Sequence, residues 1–260
     1  MLDWNPALYG RYEDERTRPA AELLARVPLS GAMRAVDLGC GPGNSTELVA
    51  RRFPGAEVLG IDNSEAMLTA ARTRLPSARF EAGDIARWTP AAAAAPDLIY
   101  ANAALQWVPG HETLIPRLFA ALAPGGVLAI QMPDNRAEPT HRLMREVAAE
   151  PAWRDAIGDA DRLRTELLPL AGYYDLLARD AATVDVWHTI YQHPLASPAA
   201  IVEWVRATGL KPFVDRLTPA LQASYLAEYE RRVALAYPAR ADGRRLLAFP
   251  RMFIVARKAT

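Results

Sequence analysis

Apolar positions follow two rhythms along the first half of the chain: short continuous runs, and longer stretches in which they recur at the helical period. The first run, at Ala35, Val36 and Leu38, ends in Gly39-Cys40-Gly41-Pro42-Gly43, after which the pattern is helical from about 45 to 52. Runs at 57–61, 79–82, 97–101 and 127–132 predict further strands. Among them lie a helix that Ser64 caps and that stops before Pro76, and another in which Leu114, Ile115, Leu118, Phe119 and Leu122 share a face before Pro124-Gly125-Gly126 ends it. Strand and helix in alternation signify a parallel sheet covered on both faces. The predicted fold class is α/β, a doubly wound, seven-stranded, mostly parallel sheet of Rossmann-like type.

The second half breaks that rhythm. Helical segments over 140–177 precede a long alternating strand at 183–192; helices at 198–208 and 219–237 follow, and a strand at 246–257 closes the chain. Helices inserted around the last strands suggest a cap over a small-molecule pocket. The expected organisation is one domain over 1–260, with an N-terminal lid at 1–30, a cofactor-binding core at 31–135, and helical insertions at 136–180 and 194–243. Tyr225, Tyr229, Val233 and Tyr237 fall four apart on one helix face and are read as a packing stripe.

Composition narrows the class. With 260 residues, 51% of them hydrophobic, the chain can bury one substantial core, and 30 acids against 30 bases leave no global field to recruit nucleic acid or an anionic membrane. Lysine occurs only at Lys211 and Lys258, so the positive charge is almost all arginine, which forks around carboxylates. Cys40, the single cysteine, excludes an intrachain disulfide and a multi-cysteine metal site. It reads as a small side chain tolerated in a tight loop. The start of the sequence lacks a signal-peptide pattern and no apolar run approaches membrane-spanning length, so the expectation is a cytoplasmic protein without metal, nucleic-acid or membrane partner. Oligomeric state is left open.

The glycine turn points to a cofactor. Dinucleotide enzymes carry G-x-G-x-x-G, whose third glycine lets the helix pack closely on the strand. Here Asn44 takes that place and Asp37 precedes the glycines, an acid that repels a pyrophosphate but suits the sulfonium and ammonium of S-adenosylmethionine. In an open parallel sheet ligands lie beyond the carboxyl ends of the strands. There the sequence offers Asp62 for ribose hydroxyls, Asp84 for an adenine amino group, Ile85 for its ring, and the polar, aromatic loop from Asn102 to Gln106 and Trp107.

These motifs, over about 35–132, resemble the class I S-adenosylmethionine-dependent methyltransferases. The resemblance implies cofactor contacts from Asp37, Gly39, Cys40, Gly41, Asp62, Asn63, Met67, Asp84, Ile85 and Asn102, with Arg18 added from the N-terminal segment. A narrower resemblance, to the trans-aconitate 2-methyltransferase family, rests on Asp3-Trp4-Asn5-Pro6 with Tyr9, Glu15-Arg16 to Pro19, Leu105-Gln106-Trp107, Gln131-Met132-Pro133-Asp134-Asn135, Glu138-Pro139-Thr140-His141 and Leu247-Ala248-Phe249-Pro250-Arg251. It implies methyl transfer to one carboxylate of a small anionic tricarboxylate, giving a monomethyl ester and S-adenosylhomocysteine. A carboxylate is ionised at neutral pH and needs no general base, so no catalytic acid or base is expected, only positioning. Arg251 is the favoured carboxylate clamp; Gln106, Trp107, His141, Tyr173, Asn135, Trp4 and Tyr9 are the other substrate-binding candidates, and topology adds Tyr191 and His193. Arg251 reads equally as a solvated strand-end charge, and His141 as a surface or helix-start residue. Competing readings are a methyltransferase for another acid, a phenol or a quinone, the last two usually requiring a base, and a non-catalytic cofactor-binding protein.

Overall fold

Four consecutive buried residues, Ala35 to Leu38, make β1 (Arg34–Leu38) a strand covered on both faces, as a central parallel strand must be. The computed structural model describes residues 13–91, 94–206 and 208–260; Trp4 and Tyr9 lie outside them. Around β1 run α1 (Glu13–Ala25), α2 (Asn44–Arg52), β2 (Glu57–Asp62), α3 (Glu65–Arg74), β3 (Arg79–Ala82), β4 (Leu98–Asn102), α4 (His111–Ala120) and β5 (Val127–Pro133). Then follow α5 (Pro139–Ala148), α6 (Arg154–Ile157), α7 (Leu170–Leu177), β6 (Ala181–Leu195), α8 (Pro198–Arg206), α9 (Lys211–Val214), α10 (Pro219–Ala236) and β7 (Arg245–Lys258).

The sheet has seven strands in the order β3-β2-β1-β4-β5-β7-β6. Its first four neighbouring pairs are parallel, with Val36 opposite Leu59 on one side and Ile99 on the other. β7 is antiparallel to β5, because Lys258 N–H donates to Gly126 O at one end and Asp134 N–H to Pro250 O at the other. The order reverses between β1 and β4, the place where doubly wound sheets hold ligands. Among the described residues, no helix is long and apolar enough to cross a membrane.

The chain divides into two compact units, one made of residues through Met132 with Glu166–His188 and Met252–Thr260, the other of Pro133–Thr165 and Thr189–Arg251. The insertion drawn at 136–180 is therefore shorter, since 166–188 belongs to the first unit. Its core contains Val36, Leu38, Ile99, Leu105, Ile115, Leu128, Ile130 and Ile254. The described part of the expected N-terminal lid is a packed helix: α1 buries Ala20, Leu23 and Leu24, packs on α2, and receives at Ala20 O a hydrogen bond of 2.6 Å from the buried Tyr100 hydroxyl.

In the second unit, the tyrosine stripe stitches α10 to α5. Tyr225 donates to Met144 O (2.9 Å), Tyr229 to Thr140 O (3.0 Å), and Tyr237 accepts from Thr140 N–H (3.2 Å). The rings supply apolar area and the hydroxyls spend their polarity on backbone, so burial leaves no polar cost at those atoms. Removing one hydroxyl, as in Tyr229→Phe, is expected to lower stability by about 1 kcal/mol, read from urea unfolding. Unchanged stability in both Tyr229→Phe and Tyr225→Phe would show that the rings alone hold the helices.

Candidate active site

β1 delivers the chain into a turn that only glycine makes cheaply: Gly39, Gly41 and Gly43 have φ of 74°, 53° and 91°. The turn is fastened to β2. Gly39 and Cys40 N–H both donate to Ile61 O (2.7 and 3.0 Å), and Gly41 N–H donates to Asp62 Oδ2 (2.9 Å) while Ser64 N–H takes Oδ1 (2.9 Å). A Cβ at Gly39 would sit 2.3 Å from the Ala104 Cβ and 3.4 Å from Ile85 Cδ1, so the ends of β1 and β4 meet there and Ile85 lies beside them. At Gly41 a Cβ would meet no atom within 4 Å, which leaves that face of the turn open. The Cys40 side chain points the other way, into a cluster with Leu68, Ala71 and Phe80; burial and the nearby Asp37 and Asp62 carboxylates push its thiol up.

Asp37 is fully buried, and Ser45 Oγ and Thr46 Oγ1 both donate to its Oδ2, at 2.6 and 2.7 Å. Its Oδ1 has no hydrogen-bond partner among the described residues. Burial raises its pKa to about 6, against the lowering effect of the two hydroxyls. Such a group is stabilised by any cation that approaches it.

Beyond β4 the backbone is strained. Ala103 has φ of 53°, the one non-glycine residue with positive φ among those described, a conformation costing roughly 1–2 kcal/mol. Gln131 O accepts its N–H (2.9 Å) and Gln106 Nε2 donates to its carbonyl (2.7 Å). His111 braces the next turn: Nε2 donates to Leu105 O (2.9 Å), and Nδ1 shares a hydrogen bond with the Tyr173 hydroxyl (2.6 Å). Two buried acceptors in this loop, Asn102 Oδ1 and Gln106 Oε1, have no partner among the described residues. Strain together with unspent acceptors marks a ligand site better than either does alone.

The second unit holds cations. Arg251 is only 4% exposed and lies 5.0 Å from the centre of the Phe249 ring, whose other neighbours are His141, His193 and Trp204. His193 is in turn tilted against Trp204 at 4.5 Å and stacked near Tyr191. Arg136 and Arg145 share the Asp161 carboxylate at 3.0 and 3.1 Å, and Arg164 Nη1 donates to the neutral Asn135 Oδ1 at 3.3 Å. Burial, Arg136 and Arg145 lower Arg164 to about 10; burial, Arg164 and Arg145 keep His141 well below the usual histidine range.

A family model described as a methyltransferase domain matches residues 35–126. A protein of Variovorax paradoxus named trans-aconitate 2-methyltransferase is 80% identical over 99% of both chains. Proteins of the same name from Paracidovorax citrulli and Rhizobium meliloti are 73% and 55% identical over 100% and 98% of both chains. The chain belongs to the trans-aconitate 2-methyltransferase family. Solved structures with the fold include phosphoethanolamine N-methyltransferase 2 of Haemonchus contortus in complex with S-adenosyl-L-methionine, with a TM-score of 0.55, 17% identity, and coverage of 94% of this chain and 53% of that one. The cyclase SpnF has a TM-score of 0.53, 18% identity, and coverage of 94% and 82%. A shared fold that includes a cyclase shows architecture, not chemistry.

Within this trans-aconitate 2-methyltransferase family member, Asp37, Gly39, Cys40, Gly41, Asp62 and Asn102 stand at the carboxyl ends of β1, β2 and β4, with Ile85 against the glycine turn. Asn63 is exposed and Met67 buried in the first turn of α3. Asp84 is exposed, its Oδ1 accepting from Ala86 N–H (2.9 Å). Arg18 lies exposed on α1 in an ion pair with Glu22 (2.8 Å), because the helix turns its apolar side inward and this face out. One expectation is corrected: Tyr173 is a core residue whose hydroxyl hydrogen-bonds to His111. Gln106 is buried and Trp107 half-buried in the loop after β4; Asn135, His141 and Arg251 are buried in the second unit, so neither the surface reading of His141 nor the solvated reading of Arg251 holds. Arg164 and Trp204 went unforeseen. Among the described residues, no group of three or more His, Cys, Asp or Glu could hold a metal.

The raised Asp37 pKa fixes a sign. The native state holds this proton more tightly than the unfolded chain, so ionisation weakens the fold as pH rises from about 4 through about 6. In Asp37→Asn that penalty disappears, and the variant's stability relative to the parent should improve by up to about 3 kcal/mol between pH 4 and pH 7. Parallel pH profiles of the two unfolding free energies would refute the shift.

Proposed function

We propose that this chain transfers the methyl group of S-adenosylmethionine to one carboxylate of trans-aconitate, giving a monomethyl ester and S-adenosylhomocysteine. The observation that carries the reading is the 80% identity, over 99% of both chains, to a protein that bears the trans-aconitate 2-methyltransferase name. The residues present fit the donor. Buried acceptors at Asp37 Oδ1 and Asn102 Oδ1 suit a cationic, amine-bearing ligand, and Gly41 leaves its face of the turn open. When bound, S-adenosylmethionine supplies a methyl group on a positively charged sulfur.

The chain's own contributions follow from its groups. The Asp62 carboxylate, already holding two backbone N–H groups, keeps lone pairs for ribose hydroxyls, Ile85 offers an apolar face to the adenine, and Asp84 an acceptor for its amino group. Asn63 and Met67 flank this position in sequence, and Gln106 and Trp107 lie on the loop from which the reacting centre is approached. The acceptor is ionised before it binds, so no side chain has to remove a proton. Cys40, with its thiol pushed up by burial, stays protonated and takes no part as a nucleophile. Rate then comes from holding one carboxylate oxygen in line with the methyl group and sulfur, an effect worth up to about 7 to 11 kcal/mol. Arg251, buried and resting on Phe249, binds a carboxylate that does not react.

Balanced charge supports a cytoplasmic enzyme that handles a small tricarboxylate, without nucleic-acid or membrane partners, and among the described residues no helix is long and apolar enough to cross a membrane. Incubation with methyl-labelled S-adenosylmethionine and a panel of di- and tricarboxylates, phenols and quinones should label trans-aconitate foremost, with one S-adenosylhomocysteine per ester. Labelling of a phenol or quinone in preference to every acid would replace the reading. Arg251→Ala should raise the KM for trans-aconitate by about 10- to 150-fold, the worth of a charged hydrogen bond. An unaltered KM would remove Arg251 from the acceptor site.

A further inference from the structure

The two groups read as adenine contacts, Asp84 and Ile85, stand on a loop that leaves the sheet at its edge. β3 is the outermost strand on that side and pairs with β2. Beyond Gly83, whose N–H donates to Asp62 O (3.0 Å), the chain leaves the ladder and runs through 84–88. Two tight turns shape this loop: Arg87 N–H donates to Asp84 O (3.0 Å) and Trp88 N–H to Ile85 O (3.4 Å). Asp84 is exposed, and a carboxylate in water discriminates between ligands only where its direction is fixed beforehand.

A side chain from another element reaches that loop. Arg117 lies in the last turn of α4, a helix fixed by the burial of Leu114, Ile115, Leu118 and Phe119. Its Nη2 donates to Ala86 O (2.8 Å) and Ile85 O (3.3 Å), and its Nη1 donates to Trp88 O. Three carbonyls of one loop converge on one guanidinium, whose planar fork has the donors to take them all. Ala86 carries the restraint onward, because its N–H donates to Asp84 Oδ1 (2.9 Å). The other Asp84 oxygen, Oδ2, stands 4.0 Å from Arg87 Nε in an exposed pair, a contact worth little in water. Ile85, whose carbonyl Arg117 also takes, has its Cδ1 3.4 Å from where a Cβ on Gly39 would lie, beside the glycine turn.

We infer that Arg117 is a positioning residue for adenine recognition: by gathering the carbonyls of Ile85, Ala86 and Trp88, it holds the 84–88 loop where Ile85 meets the adenine ring and the Asp84 carboxylate meets its exocyclic amino group. Arg117 acts through the loop and not on the ligand itself. This rests on the reading of the chain as an S-adenosylmethionine-dependent methyltransferase and extends it to a residue outside the expected site. Without the guanidinium the three carbonyls turn to water, which serves them equally well in other arrangements of the loop. The donor is then held by its remaining contacts, so a ligand that uses Asp84 loses more than one that cannot.

The test titrates the full chain calorimetrically with S-adenosylhomocysteine and with its analogue that lacks the exocyclic amino group. The parent should prefer S-adenosylhomocysteine by about 2- to 12-fold, the worth of one hydrogen bond. In Arg117→Gln the Kd for S-adenosylhomocysteine should rise by about that factor or more, the Kd for the analogue by less, and the preference should fall toward one. The KM for S-adenosylmethionine should follow, with the KM for trans-aconitate and kcat at saturating donor much less affected. Arg117→Lys, which keeps the charge but cannot span the carbonyls, should fall between parent and Arg117→Gln; should Arg117→Gln fail to fold, the same comparison is read in Arg117→Lys. An unchanged Kd, or equal losses for the two ligands, the mark of general damage, would overturn the inference, as would a parent with no preference for the amino group. If the parent binds neither ligand, the proposed function fails first and takes this inference with it.

Discussion

The first unit depends on the way β2 holds the glycine turn. Three successive N–H groups, of Gly39, Cys40 and Gly41, find their acceptors on Ile61 and Asp62 rather than within the turn. A loop with left-handed residues cannot satisfy its own donors as a helix would, and a buried orphan donor costs roughly 1–3 kcal/mol. Parallel pairing of β1 with β2 is what brings Ile61 and Asp62 into reach, since Leu38 stands opposite Ile61. The Asp62 carboxylate also receives Ser64 N–H, so one side chain shapes the turn and the start of α3 together. The group read as a ribose ligand is thus also a brace, and its ligand-binding and structural effects are coupled in any substitution.

A net charge of zero conceals a separation. The first unit buries Asp37, and the buried charged and ring-nitrogen groups of the second are Arg251, His141 and His193. Burying such groups is costly, because it removes the water that would stabilise a charge. Each is suited to a ligand of opposite sign, a sulfonium with an ammonium in one case and carboxylates in the other. The charge that a global count cannot reveal is expressed where water is excluded, and there it acts most strongly.

Strands were legible because parallel strands covered on both faces are written as unbroken apolar runs, and β1 to β5 lie within a residue of their expected ends. The helical caps were legible at Ser64 for α3 and in the tyrosine stripe of α10, where a period of four and the absence of charge agree. α9 escaped because four residues, Lys211 to Val214, are too few to show a period. α1 lies within the segment expected as a lid, and its inward residues Ala20, Leu23 and Leu24 repeat at helical spacing. Tyr173 was misplaced for a different reason: its partner His111 is 62 residues away, and nothing local distinguishes a tyrosine that braces a histidine from one that meets a ligand. Arg164 lies in a segment with arginines and aspartates on either side, where nothing local marks its hydrogen bond to Asn135, 29 residues away.

Methyl transfer to a carboxylate makes two opposite charges disappear, so a site that stabilised the separated ions too well would hold the ground state back. On the donor side, Asp37, whose pKa burial raises to about 6, already accepts from Ser45 and Thr46 at Oδ2, so part of its charge is met by the chain before any cation approaches. The acceptor's reacting oxygen gains most by leaving its strong donors to the carboxylates that do not react. Arginines placed on those distant groups contribute binding energy that persists through the transition state, and that energy fixes orientation without opposing the loss of charge at the reacting oxygen. A histidine held neutral and a thiol held protonated suit the same requirement, since neither adds a charge that the reaction would have to extinguish.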